Sequence, residues 1–233
     1  MTLSSSAVSS RMPMGRRFLL LTLSVVLAAC GHTGSEGPKT TPISEARGRA
    51  NGTQVTVEGY VTVQPGAFAS AMGNEGFALQ DNTGGIYVKL ARKLDFGLGA
   101  HVRVTGTLND ESNLRILESE PGSVETLAGT QQVGAKDVKT GDVGESTEGL
   151  LVRINARVTR PINDELPYGY ELYVDDGSGE VQVYIHGSAG FDPATLNALT
   201  VGQTLQVTGF SSQYESTLEV APRQPSDLVV QAR

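Results

Sequence analysis

The sequence predicts an all-β protein: two tandem five-stranded barrels, each with at most one short helix. Three observations predict it. Blocks of residues recur in the same order about 100 positions apart. Within each block apolar and polar side chains alternate at period two, the signature of a half-buried strand. Glycine, 28 of 233 residues, gathers where the alternation breaks.

The first copy is carried by residues 55–62, 76–88 and 99–106, the second by 152–159, 171–183 and 202–209, displaced by 97, 95 and 103 positions. Two units of about 90 residues match the usual size of a small domain. In the first strand of the second copy Val152, Ile154, Ala156 and Val158 are apolar, while Arg153, Asn155, Arg157 and Thr159 are not. Alternation sends the first set to a core and the second to the surface. In the first copy Val55, Val57, Gly59, Val61 and Val63 are expected inward, and Thr56, Glu58, Tyr60 and Thr62 outward. The second block reads as a hairpin, turning at Asn82-Thr83-Gly84-Gly85 and Asp176-Gly177-Ser178-Gly179. Asp192-Pro193 then opens a short helix in copy two, with Asp as N-cap and Pro at the first helical position. Its counterpart around Leu94–Leu98 is too short and glycine-broken for one. Fourth strands fall at 102–105 and 205–208, and fifth strands at 114–118 and 217–221.

Five strands with a helix between the third and fourth describe an OB-fold. A sandwich-like β domain is the rival, since strand patterns alone do not close a barrel. The motifs Val57-Glu58-Gly59-Tyr60-Val61-Thr62, Leu79-Gln80-Asp81 followed by Thr83-Gly84-Gly85-Ile86-Tyr87-Val88, and the glycine-bounded stretch 99–106 resemble the OB-type domains of secreted bacterial nucleases and related surface lipoproteins. Residues 149–154, 175–179 and 221–228 resemble the same group, so the likeness runs over about 45–233. It implies the fold and a binding role; no nuclease catalytic domain accompanies it.

The N-terminus reads as an address. Arg11, Arg16 and Arg17 precede an apolar run of 12 residues, 18–29, too short to span a bilayer. General secretion fits better than twin-arginine export, because Phe18 follows Arg17 with no residue between. Met1, Met12 and Met14 all stand as starts. Leu27-Ala28-Ala29-Cys30 resembles the lipobox of bacterial lipoproteins, with the chain's single cysteine at the required place. The resemblance implies cleavage before Cys30, lipidation of Cys30 (palmitate-type acyl chains), and anchoring in the cell envelope; if the cell is Gram-negative, Gly31 in place of Asp favours the outer membrane. The expected organisation is a signal peptide (1–29), lipidated cysteine and tether (30–44), barrel one (45–128), linker (129–145) and barrel two (146–233).

The residues available restrict the chemistry. One cysteine and three histidines rule out a disulfide framework and make a metal centre unexpected. No nucleophile elbow or triad spacing is present, so no enzyme, metal or cofactor is expected. The acid-rich turn at residues 175–180 lacks the alternating acids of a calcium loop and reads as a hairpin turn.

Binding residues are sought on the outer face of strands two and three, where OB barrels bind. Copy two offers Tyr173, Gln182, Tyr184 and His186 there, with Arg153 and Arg157 on strand one. Copy one offers Gln80, Tyr87 and Lys89, with Tyr60 on strand one. Rings can stack on bases or sugars and guanidinium groups can meet phosphate. Nucleic acid, glycan, peptide and another envelope protein are the partners considered; the last corresponds to a structural or assembly role. Charge bears on the choice. The chain carries 18 bases and 25 acids, net −7, and cleavage at Cys30 removes three bases and no acid, leaving −10. Copy two (137–233) has 6 bases and 14 acids against 7 and 10 in copy one (43–127), so the copy with more rings is the more acidic. That weakens a nucleic-acid reading, because phosphate neutralisation supplies most of such affinity.

Overall fold

A computed structural model describes residues 39–231. The signal peptide, Cys30 and most of the expected tether lie outside the described residues. Barrel one comprises α1 (Ile43–Arg47), β1 (Gln54–Val63), α2 (Ala69–Met72), β2 (Phe77–Gln80), β3 (Gly85–Lys89), β4 (Ala100–Glu111) and β5 (Leu114–Glu118), with β6 (Val124–Thr130) added beside β4. Barrel two comprises β7 (Lys136–Asp137), β8 (Leu151–Val158), β9 (Asn163–Asp164), β10 (Gly169–Asp175), β11 (Val181–His186), α3 (Pro193–Asn197), β12 (Thr204–Tyr214), β13 (Thr217–Ala221) and β14 (Leu228–Val230).

Both barrels close in the same order. β1-β2-β3-β5-β4 returns to β1, and β8-β10-β11-β13-β12 returns to β8. The pairs β3–β5 and β11–β13 are parallel and the other barrel pairs antiparallel. These are two tandem OB-like barrels. The alternation reads out as expected in β8, whose even positions are buried and whose Asn155 and Arg157 are exposed. Asp192 caps α3, accepting from Ala194 N at 3.0 Å.

Strand β1 departs from strict alternation. Val55, Val57 and Val61 enter the core of barrel one, but the register slips between Val61 and Val63. That bulge turns Val63 out of the barrel, into a second cluster with Ala78, Tyr87, Ile116, Phe210 and Ala221. Thr62 is buried rather than exposed for the same reason.

The second cluster joins the barrels. The outer face of β2, β3 and β5 in barrel one packs on Phe210 and Ala221 of barrel two. Polar ties surround it: Leu151 N donates to Gln80 Oε1 at 3.0 Å, and Arg223 Nη1 donates to Thr62 O at 2.9 Å while its other nitrogens hold Asp227. Arg47 Nη2 meets the buried Glu148 at 2.8 Å, and the Arg115 amide donates to the same carboxylate. At the centre two glycine backbones touch. A Cβ on Gly85 would lie 1.9 Å from the carbonyl oxygen of Gly149, which itself has φ +84.

One device is used twice to hold the chain entering each barrel. Asp81 Oδ1 accepts from Thr83 N and Gly84 N, and its Oδ2 accepts from Ile43 N at 2.9 Å. The equivalent Asp176 accepts from Ser178 N and Thr140 Oγ1, and Ser178 Oγ accepts from Gly141 N. The expected tether end (43–44) and linker segment 140–141 are thereby pinned to the hairpin turns, with Ile43 and Thr140 buried. The hydroxyl of Ser178, together with Thr140, holds the Asp176 carboxyl down at about 2. Its oxygens serve as a turn cap.

Gly85→Ala should break the inter-barrel contact at a cost of about 2–3 kcal/mol. Gly122→Ala, where an added Cβ meets nothing within 4 Å, should be neutral. Urea unfolding of the two variants checks this; equal midpoints would refute the glycine contact.

Candidate functional site

Packing the barrels together leaves a groove of about 510 Å³ between them, within the range of small-ligand pockets. Its floor is the outer face of β10, β11 and β13. Its other wall comes from barrel one: Phe68 and Met72 around α2, and Glu111, Ser112 and Leu114 at the β4–β5 turn. The hairpin tips of the two barrels close one end, where Glu215 N donates to Ser112 O and Asn113 Nδ2 donates to Glu215 O at 2.9 Å. Ser70 N donates to Ser188 Oγ and Ser188 N to Ser70 Oγ, while Ser188 Oγ donates to Ala67 O and Ser70 Oγ to Tyr168 O.

Of the expected residues, Tyr173, Gln182, Tyr184 and His186 line this groove together. Period-two alternation places them there: Tyr173 faces Gln182 across β10–β11, and Tyr184 and His186 follow on the same side of β11. Gln182 Nε2 donates to Glu171 Oε1 at 2.9 Å and to Tyr173 Oη at 3.2 Å. The guanidinium of Arg160 sits 4.1 Å from the Tyr173 ring centroid. Tyr184 is half-buried; burial first, then Glu165, Glu219 and Glu171, push its phenol up to about 12. His186 is buried, stacked on Phe68 at 4.4 Å and edge-on to Tyr184 at 5.0 Å. Burial pushes its imidazole down to about 3, and its Nδ1 has no hydrogen-bond partner.

The others lie elsewhere. Tyr87 also reaches the groove wall, but it is 1% exposed, not on a free face. Barrel two covers it, its hydroxyl donates to Asn74 Oδ1 at 2.9 Å, and burial raises its pKa. Gln80 is spent on Leu151, and Lys89 pairs with Glu111 at 2.6 Å. Tyr60 stacks on His101 at 4.7 Å in a separate polar hollow of barrel one. Arg153 pairs with Asp137, and Arg157 stands exposed on β8, opposite Thr204 and Asp175; neither lines the groove. The arginines and the tyrosine platform do not form one surface.

Alternation-based reading missed the acids and the barrel-one wall. Five glutamates line the groove (Glu111, Glu165, Glu171, Glu215 and Glu219) with no lysine or arginine. Glu171 and Glu219 could have been found, since Glu171 precedes Tyr173 by two and Glu219 pairs in register with Gln182. Glu219 is 8% exposed. Ser212 Oγ donates to its Oε1 at 2.9 Å, and among the described residues no base pairs with it. Burial, opposed by Ser212 and assisted by Glu171, raises its carboxyl to about 7. Burial and Glu171 likewise raise Glu165. Among the described residues no cluster of three or more His, Cys, Asp or Glu side chains is arranged to hold a metal.

No family model and no curated protein matches the chain. Among solved structures it is similar to the S. pombe Stn1–Ten1 complex (19% identity, 36% of this chain and 59% of that one, TM-score 0.31). It is also similar to a murine DNA-binding protein bound to double-stranded DNA (14% identity, 76% and 97%, TM-score 0.40). An OBody bound to hen egg-white lysozyme matches at 17% identity over 44% and 100%, TM-score 0.36.

The two buried groups bend stability in opposite directions. Neutral His186 favours the fold above pH 6.5, and that advantage is lost as pH falls toward 3. Protonated Glu219 favours the fold below pH 4.5, and that advantage is lost as pH rises through about 7. Glu219→Gln should therefore lie close to the parent at pH 5 and exceed it by roughly 1–3 kcal/mol at pH 8. Urea unfolding at both pH values measures this; a pH-independent difference would mean Glu219 titrates as an ordinary surface acid.

Proposed function

We propose that this chain is a non-enzymatic, lipid-anchored cell-envelope binding protein whose ligand seat is the groove between its barrels. The observation that carries the seat is the convergence of Phe68, Tyr173, Tyr184 and His186 from both barrels around one concavity. An OB barrel supplies such a face on β10 and β11, and the second barrel supplies the wall that makes the face a groove. The anchor rests on the sequence Leu27-Ala28-Ala29-Cys30 after a charged, then apolar, leader; if the cell is Gram-negative, Gly31 in place of Asp favours its outer membrane. Nucleic acid is the least favoured ligand, because the lining carries five carboxyl groups and no base to meet phosphate.

A second reading, an assembly lipoprotein contacting another envelope protein, is favoured by exposed Leu166, Tyr168, Tyr214 and Leu218. Cross-linking in intact cells through Tyr168 and Tyr214 should trap one dominant protein on that reading, and none on the first. Cys30→Ser should move the protein from the membrane to the soluble fraction; retention in the membrane would overturn the anchor.

A further inference from the structure

We infer that the groove is a receptor site for an organic ammonium cation, seated between the tyrosine rings and the carboxyl groups of Glu171 and Glu219. This rests on the groove being the ligand seat. Two observations point to it. The first is charge: no base pairs with Glu165, Glu171, Glu215 or Glu219 among the described residues, and Lys89 answers only Glu111. The second is Glu219 itself, more than nine-tenths buried on the groove floor with one hydrogen bond, from Ser212. A buried carboxyl costs least when it is neutral or faces a positive partner.

The rings suit the same guest. Tyrosine faces attract cations through their quadrupole, most strongly where water is excluded. Tyr173 already holds one, the Arg160 guanidinium 4.1 Å from its centroid. Tyr184 offers its ring beside the carboxyls, and like any tyrosine it is neutral at physiological pH. His186 carries no opposing charge there, because burial keeps it neutral. The groups acting on Glu219 are Glu171 on β10, Tyr184 on β11 and Ser212 on β12, with Gln182 opposite it in register, none of them cationic. A guest ammonium would stabilise ionised Glu219, so affinity should rise as pH climbs through about 7.

The amine could be free or carried by a polypeptide, and two probes separate these. The full chain in detergent is titrated at low ionic strength with spermidine and with the blocked tripeptide Gly-Lys-Gly, followed by tyrosine fluorescence and calorimetry. The blocked Gly-norleucine-Gly peptide controls for shape without charge, and chitotriose supplies a neutral glycan. Both amines should bind and the norleucine peptide should not. Tighter spermidine binding identifies a free polyamine, tighter tripeptide binding a lysine side chain. The Glu171→Gln/Glu219→Gln pair should weaken the amines tenfold or more, and Glu219→Gln alone should flatten the rise in affinity from pH 6 to pH 8. Unfolding midpoints at pH 8 guard against loss by misfolding. Equal binding of both peptides, unchanged affinity in the paired variant, or no amine binding at millimolar concentration overturns the cation assignment. If chitotriose binds while the amines do not, and Tyr184→Ala abolishes that binding, the groove stands as the seat and only its ligand class is wrong. If a bound probe is unaffected by Tyr184→Ala, the groove itself is the wrong seat.

Discussion

Everything distinctive about this molecule depends on the backbone contact between Gly85 and Gly149. The carbonyl of Gly149 lies where any side chain on Gly85 would begin, so two barrel surfaces approach to the distance of bare main chain. That approach lets Phe210 and Ala221 cover Tyr87 and Ile116, and brings Phe68 onto His186. Without it the β10–β11 face would be an open sheet surface. With it the same face becomes the floor of a walled groove.

The groove then inherits an electrostatic problem. Barrel two is the acidic copy, and the fold places Glu219 beneath a roof supplied by the other barrel. Ser212 supplies one hydrogen bond and no base follows. The pKa of the carboxyl rises to about 7, while His186, on the same floor, stays neutral by lowering its own. Both are consequences of excluding water, and both leave polar capacity that the protein does not satisfy internally.

The duplication has been put to two different uses. Asp81 and Asp176 do one job in both copies, capping a hairpin turn and gripping the chain that enters the barrel. The faces of strands two and three have diverged. In copy one Ala78 and Tyr87 are buried in the joint; in copy two Tyr173 and Tyr184 keep an outlook. A trace of this is present in composition. Phe77-Ala78-Leu79 and Ile86-Tyr87-Val88 are continuous apolar runs, which is how strands buried on both sides read. Tyr170–Asp175 keeps a clean alternation, as a strand with one open side does.

What the sequence by itself determined is local and periodic. Alternation named the inward residues of β8, the turn residues placed both hairpins, Asp192-Pro193 started the helix, and the order of the blocks implied two like barrels. It also brought Tyr173, Gln182, Tyr184 and His186 to one face, because a strand's period of two is a backbone property. The bulge at Thr62 escaped it, since an extra residue in a strand leaves no mark in composition. Only the tertiary structure decided which faces meet. The wall at Phe68 and Glu111, the burial of Tyr87 and the isolation of Arg153 and Arg157 from the tyrosines all follow from how one barrel sits on another. That choice rests on shape and close approach between residues far apart in the chain, where periodicity carries no information.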